Sequence, residues 1–522
     1  MKVCLLNDTF PPIIDGVATT VQNYARILTE TGRAEVIVGT PRYPEGDYSG
    51  YPYRVVPYTS FDVSDLAVGY RAGDPFSIKG LSEMAQFAPD ILHVHCPAVS
   101  AVMGRILRNE TDAPMIFTYH TKYDQDIARA VKSRHIQSEA VKAMIANISA
   151  ADEVWTVSRG AGDNLRSLGY EGEIRVVHNG VDFERGRADD SLVEAAVKGF
   201  DLPDGVPVFL FVGRLINYKG LPLIAEAVRQ LSAEGIDYRM LFIGAGLDAE
   251  SLQQTIREYG ISLDIRQEDG TITSEPGRLK AGKVIFTGPV YDRAILRGWN
   301  TRADVFVFPS TYDTNGIVVR EAAACGLGSI LIKGSCAAED ITHMRNGFLV
   351  DESADAIAAM LRELAAHPDI MHEVGEHAMR ELYISWEESV LAAADRYQAV
   401  LEMAHAGTLK PRRAGKSDKF LSVTTEVLNG IYDVFHLPKA LWHGTQDVAQ
   451  GSMHYLQEGL QRVQDSLVGM QENFAEAEAY LRRKRDELRA GYEAWEADVR
   501  DAGRGLREEL KDSWQKLNGT RK

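Results

Sequence analysis

The 522-residue sequence predicts an α/β protein: two doubly wound, Rossmann-like domains facing a cleft, plus an α-helical, coiled-coil-like C-terminal extension. Three observations predict it. Short apolar runs alternate with longer amphipathic segments through the first four hundred residues. The alternation pauses once, around Glu184–Gly205, and then restarts. Beyond about residue 408 the strand-like runs cease and a heptad pattern takes over.

In the first domain, residues 1–190, the runs KVCLLN, AEVIVGT, YRVVPY, DILHVHC, MIFTYH, EVWTVS and IRVVHN are strand-length and rich in Val, Ile or aromatics. Helix-like segments such as TTVQNYARILTE and SEAVKAMIANIS lie between them, the βα alternation of a parallel sheet covered on both faces. The second domain, residues 195–384, repeats the pattern with VPVFLFVGRL, YRMLFIGAG, KVIFTGPV, ADVFVFPS and GSILIKG. In such sheets ligands collect at the carboxyl ends of the strands, so the cleft between the domains is the default site.

Residues 408–419 read as a basic linker, with five cations in Lys410–Lys419, and residues 420–522 as a helical tail. Leu456, Leu460, Val463, Leu467, Met470, Phe474, Ala477 and Leu481 recur at 4-3 spacing, and the series resumes at Leu488 and runs to Leu506. Such a seam fits self-association through 456–506, a long helical hairpin, or a helix folded back onto the body.

Composition bounds the function. With 45% hydrophobic and 25% charged residues the chain is typical of a soluble protein, and no run reaches the roughly 20 apolar residues of a membrane span. MKVCLLNDTF reads as a first strand rather than a signal peptide, so a cytoplasmic location is expected. A net charge of −17 argues against nucleic-acid binding. Cys4, Cys96, Cys325 and Cys336 match neither a disulfide framework nor a CxxC zinc site. His93 and His95 would share one strand face beside Cys96, but no further ligand follows at useful spacing, so the expected metal count is zero.

Two motifs carry chemistry. In FVGRLINYKG a strand ends at Gly213, and Arg214 and Lys219 precede a helix opened by Gly220. Two cations beside a helix N-terminus suit a diphosphate, although an Arg and a Lys on an exposed loop would look the same. In YDTNGIVVREAAACG, Asp313 and Glu321 flank a Thr314–Asn315–Gly316 turn. The two carboxylates could be a catalytic pair, a ligand clamp, or a helix cap and a surface charge. Within a doubly wound fold an acidic residue at Glu321 can accept ribose hydroxyls.

Taken together these stretches resemble family 4 retaining glycosyltransferases of the GT-B fold. The likeness rests on GR-x-x-x-x-K-G and an acid-x7-Glu pattern before a small-residue helix. It extends through NDTFPPIIDGVATTVQNYA, FTYHTKY, SRGAGDNLRSLG and RVVHNGVD, over roughly residues 1–405. The resemblance implies that Arg214 and Lys219 bind the donor diphosphate beside Gly213 and that Glu321 holds the ribose. It implies that Asp313 and the Thr314, Asn315 and Gly316 amides position the sugar. It makes Gly16 the glycine that lets the N-terminal loop close over the phosphates, and His120 a group touching the sugar. Arg214, Lys219, His120 and Asp313 are then the catalytic set, with a nucleotide sugar as co-substrate and no cofactor. By the same resemblance 1–190 is the acceptor-side domain, completed by a crossing helix at 385–405, and 195–384 binds the donor. Asp313 departs from the family's usual Glu by one methylene, which bears on sugar identity.

FTYHTKYDQDIARAVKSRH is similar to the matching segment of bacterial diacylglycerol glycosyltransferases. Arg129, Lys132, Arg134 and His135 follow, and Lys410, Arg412 and Arg413 precede an apolar stripe. Both patches could meet an anionic leaflet or be solvated or packed helix faces. The expected function is transfer of a hexose from a UDP-hexose to a membrane glycerolipid at the inner face of the plasma membrane. The alternatives are the same chemistry on a soluble or polysaccharide acceptor, or a nucleotide-sugar-binding scaffold acting through its tail.

Overall fold

The computed structural model describes residues 1–409 except 14, 63–69 and 131–132. The tail at 420–522, the linker from residue 410 onward, and Lys132, Lys410, Arg412 and Arg413 lie outside the described residues.

The first domain is built on strands β1 (Lys2–Leu6), β2 (Glu35–Pro41), β3 (Arg54–Tyr58), β4 (Ser60–Asp62), β5 (Arg71–Gly73), β6 (Ile91–Val94), β7 (Met115–Tyr119), β8 (Glu153–Thr156) and β9 (Ile174–Val176). Seven of them form a parallel sheet in the order β3-β2-β1-β6-β7-β8-β9, and β4 and β5 make a separate antiparallel hairpin. The second contains β10 (Val208–Val212), β11 (Arg239–Ile243), β12 (Ser262–Arg266), β13 (Ile272–Glu275), β14 (Lys283–Gly288), β15 (Val305–Phe308), β16 (Gly328–Ile332) and β17 (Phe348–Val350). Their order is β13-β12-β14-β11-β10-β15-β16-β17. The two doubly wound sheets are those the apolar runs predict. Both β4–β5 and the antiparallel edge strand β13 are additions to that expectation, because three- and four-residue polar strands leave no apolar run to read.

The central strands VFLFV and RMLFI are buried at every position, as strands covered on both faces must be. Strand order reverses beside β1 in one sheet and beside β10 in the other, so the crevices β1/β6 and β10/β15 are the switch points where ligands bind.

The helix Trp386–His405 starts with a reciprocal cap: Ser385 accepts from the Glu388 amide, and the Glu388 carboxylate accepts from the Ser385 amide. Its Trp386, Val390, Ala394 and Tyr397 share a core with Val3, Leu5, Trp155 and the helix Gly16–Glu30. Tyr397 stacks on Trp155 with centroids 5.5 Å apart, and Arg396 Nε donates to Glu153 Oε1 at 2.9 Å. Among the described residues no helix is long and apolar enough to cross a membrane.

Candidate active site

The loop after β10 is held by the loop after β11. The Gly213 amide donates to Ile243 O at 3.0 Å, and the Leu215 amide to Ala245 O at 2.9 Å. Gly213 and Gly244 take φ of +152° and +143°, and a Cβ on Gly244 would sit 2.0 Å from Gly213 O. Only glycine permits both the backbone conformation and the approach. The loop then carries exposed Arg214, whose guanidinium donates to Tyr218 Oη at 3.0 Å, and a 3₁₀ turn, Asn217–Lys219, that leads into the helix Leu221–Ala233.

Because β15 pairs with β10, the segment after β15 reaches the same crevice. Lys219 Nζ lies 2.5 Å from Asp313 Oδ1, and Ser310 Oγ donates to Asp313 Oδ2 at 2.5 Å. The ammonium also stands 5.6 Å from the Phe308 ring centroid and 5.7 Å from that of Tyr218. The Thr314, Asn315 and Gly316 amides donate to no acceptor among the described residues, and buried Asn315 Nδ2 is likewise unpartnered. A row of unspent donors beside Lys219, among them the buried Asn315 Nδ2, suits an oxygen-rich ligand, since buried polar groups are normally paired.

Glu321 is buried in the helix Ile317–Ala324 and pairs with Arg293, which also lies 3.8 Å from Asp182 and over the Phe183 ring. Burial pushes the Glu321 carboxyl up and Arg293 opposes it. One cation leaves the carboxylate with acceptor capacity to spare.

The opposite wall comes from the first domain. Asp15 caps the helix Gly16–Glu30 by accepting from the Val17 and Ala18 amides at 2.8 and 2.7 Å. A Cβ on Gly16 would meet nothing within 4 Å, so protein packing does not demand glycine there and the space before the helix is open. His120, at the end of β7, is buried, and burial lowers its imidazole to about 3, so it is neutral. Its carbonyl accepts from Thr314 Oγ1 at 2.6 Å, Lys122 Nζ donates to Thr311 O at 3.1 Å, and Ser158 Oγ donates to Thr314 O. Glu339 accepts from the Arg159 and Gly160 amides at 2.7 and 3.2 Å, capping a helix of the first domain. His120 and the Asp313–Gly316 loop thus meet across the cleft.

Residues 14–185 match the model of Glycosyltransferase Family 4, and residues 206–367 that of Glycosyl transferases group 1. The chain belongs to glycosyltransferase family 4. The transferase is 25% identical over 386 residues to an alpha-monoglucosyldiacylglycerol synthase of Streptococcus pneumoniae, covering 73% of this chain and 81% of that protein. It is 26% identical over 346 residues to a D-inositol 3-phosphate glycosyltransferase of Catenulispora acidiphila, covering 63% and 74%. Its fold matches a sucrose-phosphate synthase from Thermosynechococcus elongatus with a TM-score of 0.60 at 20% identity, over 77% of this chain and 99% of that one. The fold is GT-B.

Arg293, Ser310 and Tyr218, which hold Glu321, Asp313 and Arg214, and Asp182, which faces Arg293, carry no signal of these roles in the sequence of the transferase. Asp292 does mark a helix start before Arg293, but its partner is 28 positions away and nothing local announces it. The structure also gives His93 and His95 roles other than metal binding. His93 spends both ring nitrogens, on Tyr397 Oη at 2.5 Å and Thr118 Oγ1 at 2.7 Å, and His95 turns to His120. Among the described residues no three His, Cys, Asp or Glu side chains converge as a metal site. Of the basic cluster, Arg134 and His135 are exposed at the start of the helix Arg134–Ser149, and Arg129 lies in the helix Tyr123–Ala130, its side chain outside the described set.

Proposed function

We propose that this transferase moves a hexose, with retention, from a UDP-hexose to a membrane glycerolipid such as diacylglycerol, without a metal ion. The observation that carries the reading is the row of unspent Thr314–Gly316 amides beside Lys219, Asp313 and Glu321. In the reaction the anomeric C–O bond to the diphosphate breaks, and the acceptor hydroxyl adds to the same face. Its proton passes to the departing phosphate. Arg214, Lys219 and the neighbouring helix N-terminus stabilise the dianion that leaves. The amides and Asp313 hold the sugar, Glu321 accepts the ribose hydroxyls, and Gly16 leaves room for the phosphates.

The name of the Streptococcus pneumoniae relative supports a glucosyl group and a diacylglycerol acceptor. The Catenulispora relative supports a second reading, the same chemistry on a soluble phosphorylated acceptor. Arg134 is proposed to face an anionic inner leaflet, a surface cation of this kind contributing about 1 kcal/mol.

Nucleoside diphosphate release from UDP-glucose, UDP-galactose and GDP-mannose in the presence of diacylglycerol vesicles, with and without EDTA, tests the donor half. Release from a UDP-hexose that EDTA leaves unchanged is expected. No release from any of the three by folded protein would overturn the enzymatic reading. Loss of release in EDTA would overturn metal independence.

A further inference from the structure

His95 and His120 stand at the ends of the adjacent strands β6 and β7, their rings stacked with centroids 5.1 Å apart and an interplanar angle of 19°. His95 Nδ1 and His120 Nε2 are 2.9 Å apart, so one proton lies between them. Which ring supplies it decides what His120 offers the cleft.

His95 Nε2 is sealed from solvent and has no hydrogen-bond partner. Its ring neighbour His93, at a centroid distance of 4.0 Å, has both nitrogens committed elsewhere. If His120 supplied the shared proton, the proton of neutral His95 would sit on Nε2 as a buried donor with no acceptor. If His95 supplies it from Nδ1, the orphan at Nε2 is only a lone pair. Buried N–H groups without acceptors are the rarer and costlier case. Burial depresses both imidazoles far enough to exclude a charged pair at neutral pH.

We propose that His95 is a positioning residue that fixes His120 as the Nδ1–H tautomer, so that His120 presents a hydrogen-bond donor to the cleft. Nδ1 of His120 finds no partner among the described residues and is not sealed from solvent. In this state His120 donates to an oxygen of the donor sugar and cannot accept the acceptor's proton. The sugar contact rests on the function proposed above, whereas the tautomer does not.

The test uses full-length protein labelled with ¹⁵N-histidine. Long-range ¹H–¹⁵N correlations, assigned by the signal lost in His120→Asn, are expected to show His120 protonated on Nδ1. His95→Asn places an amide N–H near the former Nδ1, whereas His95→Gln places its amide near the former Nε2. The Asn variant is therefore expected to keep the His120 tautomer and to exceed the Gln variant in kcat/KM on the order of tenfold, the worth of about one hydrogen bond. Turnover is read with the three nucleotide sugars named above. Wild-type His120 protonated on Nε2 would overturn the proposal without any variant having to fold. So would equal kcat/KM in folded Asn and Gln variants. A locked Nδ1–H tautomer alongside unchanged turnover in His120→Ala, which keeps no donor at that position, supports the lock and removes the sugar contact instead.

Discussion

Lys219→Met is expected to lower kcat/KM by about 10³-fold, roughly 4 kcal/mol of transition-state stabilisation. Lys219 is the better shielded of the two motif cations: its side chain is 12% exposed, and it is fixed between Asp313 and the rings of Phe308 and Tyr218. A preorganised charge of this kind needs no reorganisation as negative charge gathers on the departing diphosphate. Arg214 is exposed, so its loss is expected to cost less. The loss in Lys219→Met has two conceivable sources, the missing positive charge or the stranded carboxylate of Asp313. The double variant Lys219→Met, Asp313→Asn separates them. If the charge is what matters, steady-state kinetics of the double variant stay as low as those of Lys219→Met. Recovery toward wild type would assign Lys219 a purely structural role.

Acid is expected to unfold the catalytic body well before its exposed carboxylates titrate. His93, His95 and His120 are buried with folded-state values below the ordinary one, His120 at about 3, because burial disfavours the imidazolium. Above about pH 6.5 both folded and unfolded states are neutral at these positions and stability is flat in pH. As pH falls below that value the unfolded chain binds protons that the folded chain refuses, so stability is lost between about pH 6.5 and 3. Asp8, Asp304 and Glu321 are raised by burial and act in the opposite sense, offsetting part of the loss. A net uptake of about two protons on unfolding near pH 5.5 corresponds to about 3 kcal/mol per pH unit. The overall charge of −17 makes the sign diagnostic, since acidification relieves self-repulsion and would by itself stabilise the fold. Urea midpoints from pH 7.5 to 5 measure the slope. Replacing His120 by Asn should remove about one proton from the uptake, and a slope unchanged by that substitution would show that other groups set it.

Both the order of elements and the position of the cleft were legible in the sequence because buried parallel strands leave unbroken apolar runs. VFLFV and VFVF could hardly be anything else, and the loops after them carry Arg214, Lys219 and Asp313. The Gly-rich stretch after β11 was visible too, but not its purpose, which depends on Gly244 meeting Gly213 across a strand pair. Pairings between loops were hidden for the same reason. Lys219 and Asp313 are 94 residues apart, and only the adjacency of β10 and β15 brings them together. Arg293 looks like any helix-start cation until Glu321 is placed opposite it. The histidines of HVHC alternate as a strand should, yet only the packing of Tyr397, Thr118 and His120 shows that both nitrogens of His93 and Nδ1 of His95 are spent on the protein.

The acceptor is where the proposed function is most exposed to a single result. The full chain, given a UDP-hexose that it turns over, is mixed with vesicles of anionic phospholipid with and without diacylglycerol, and nucleoside diphosphate release and the anomeric configuration of any lipid product are followed together. Release that rises with diacylglycerol and yields an α-linked hexosyl lipid is the predicted result. Release that is indifferent to diacylglycerol, or a β-linked product, would contradict it.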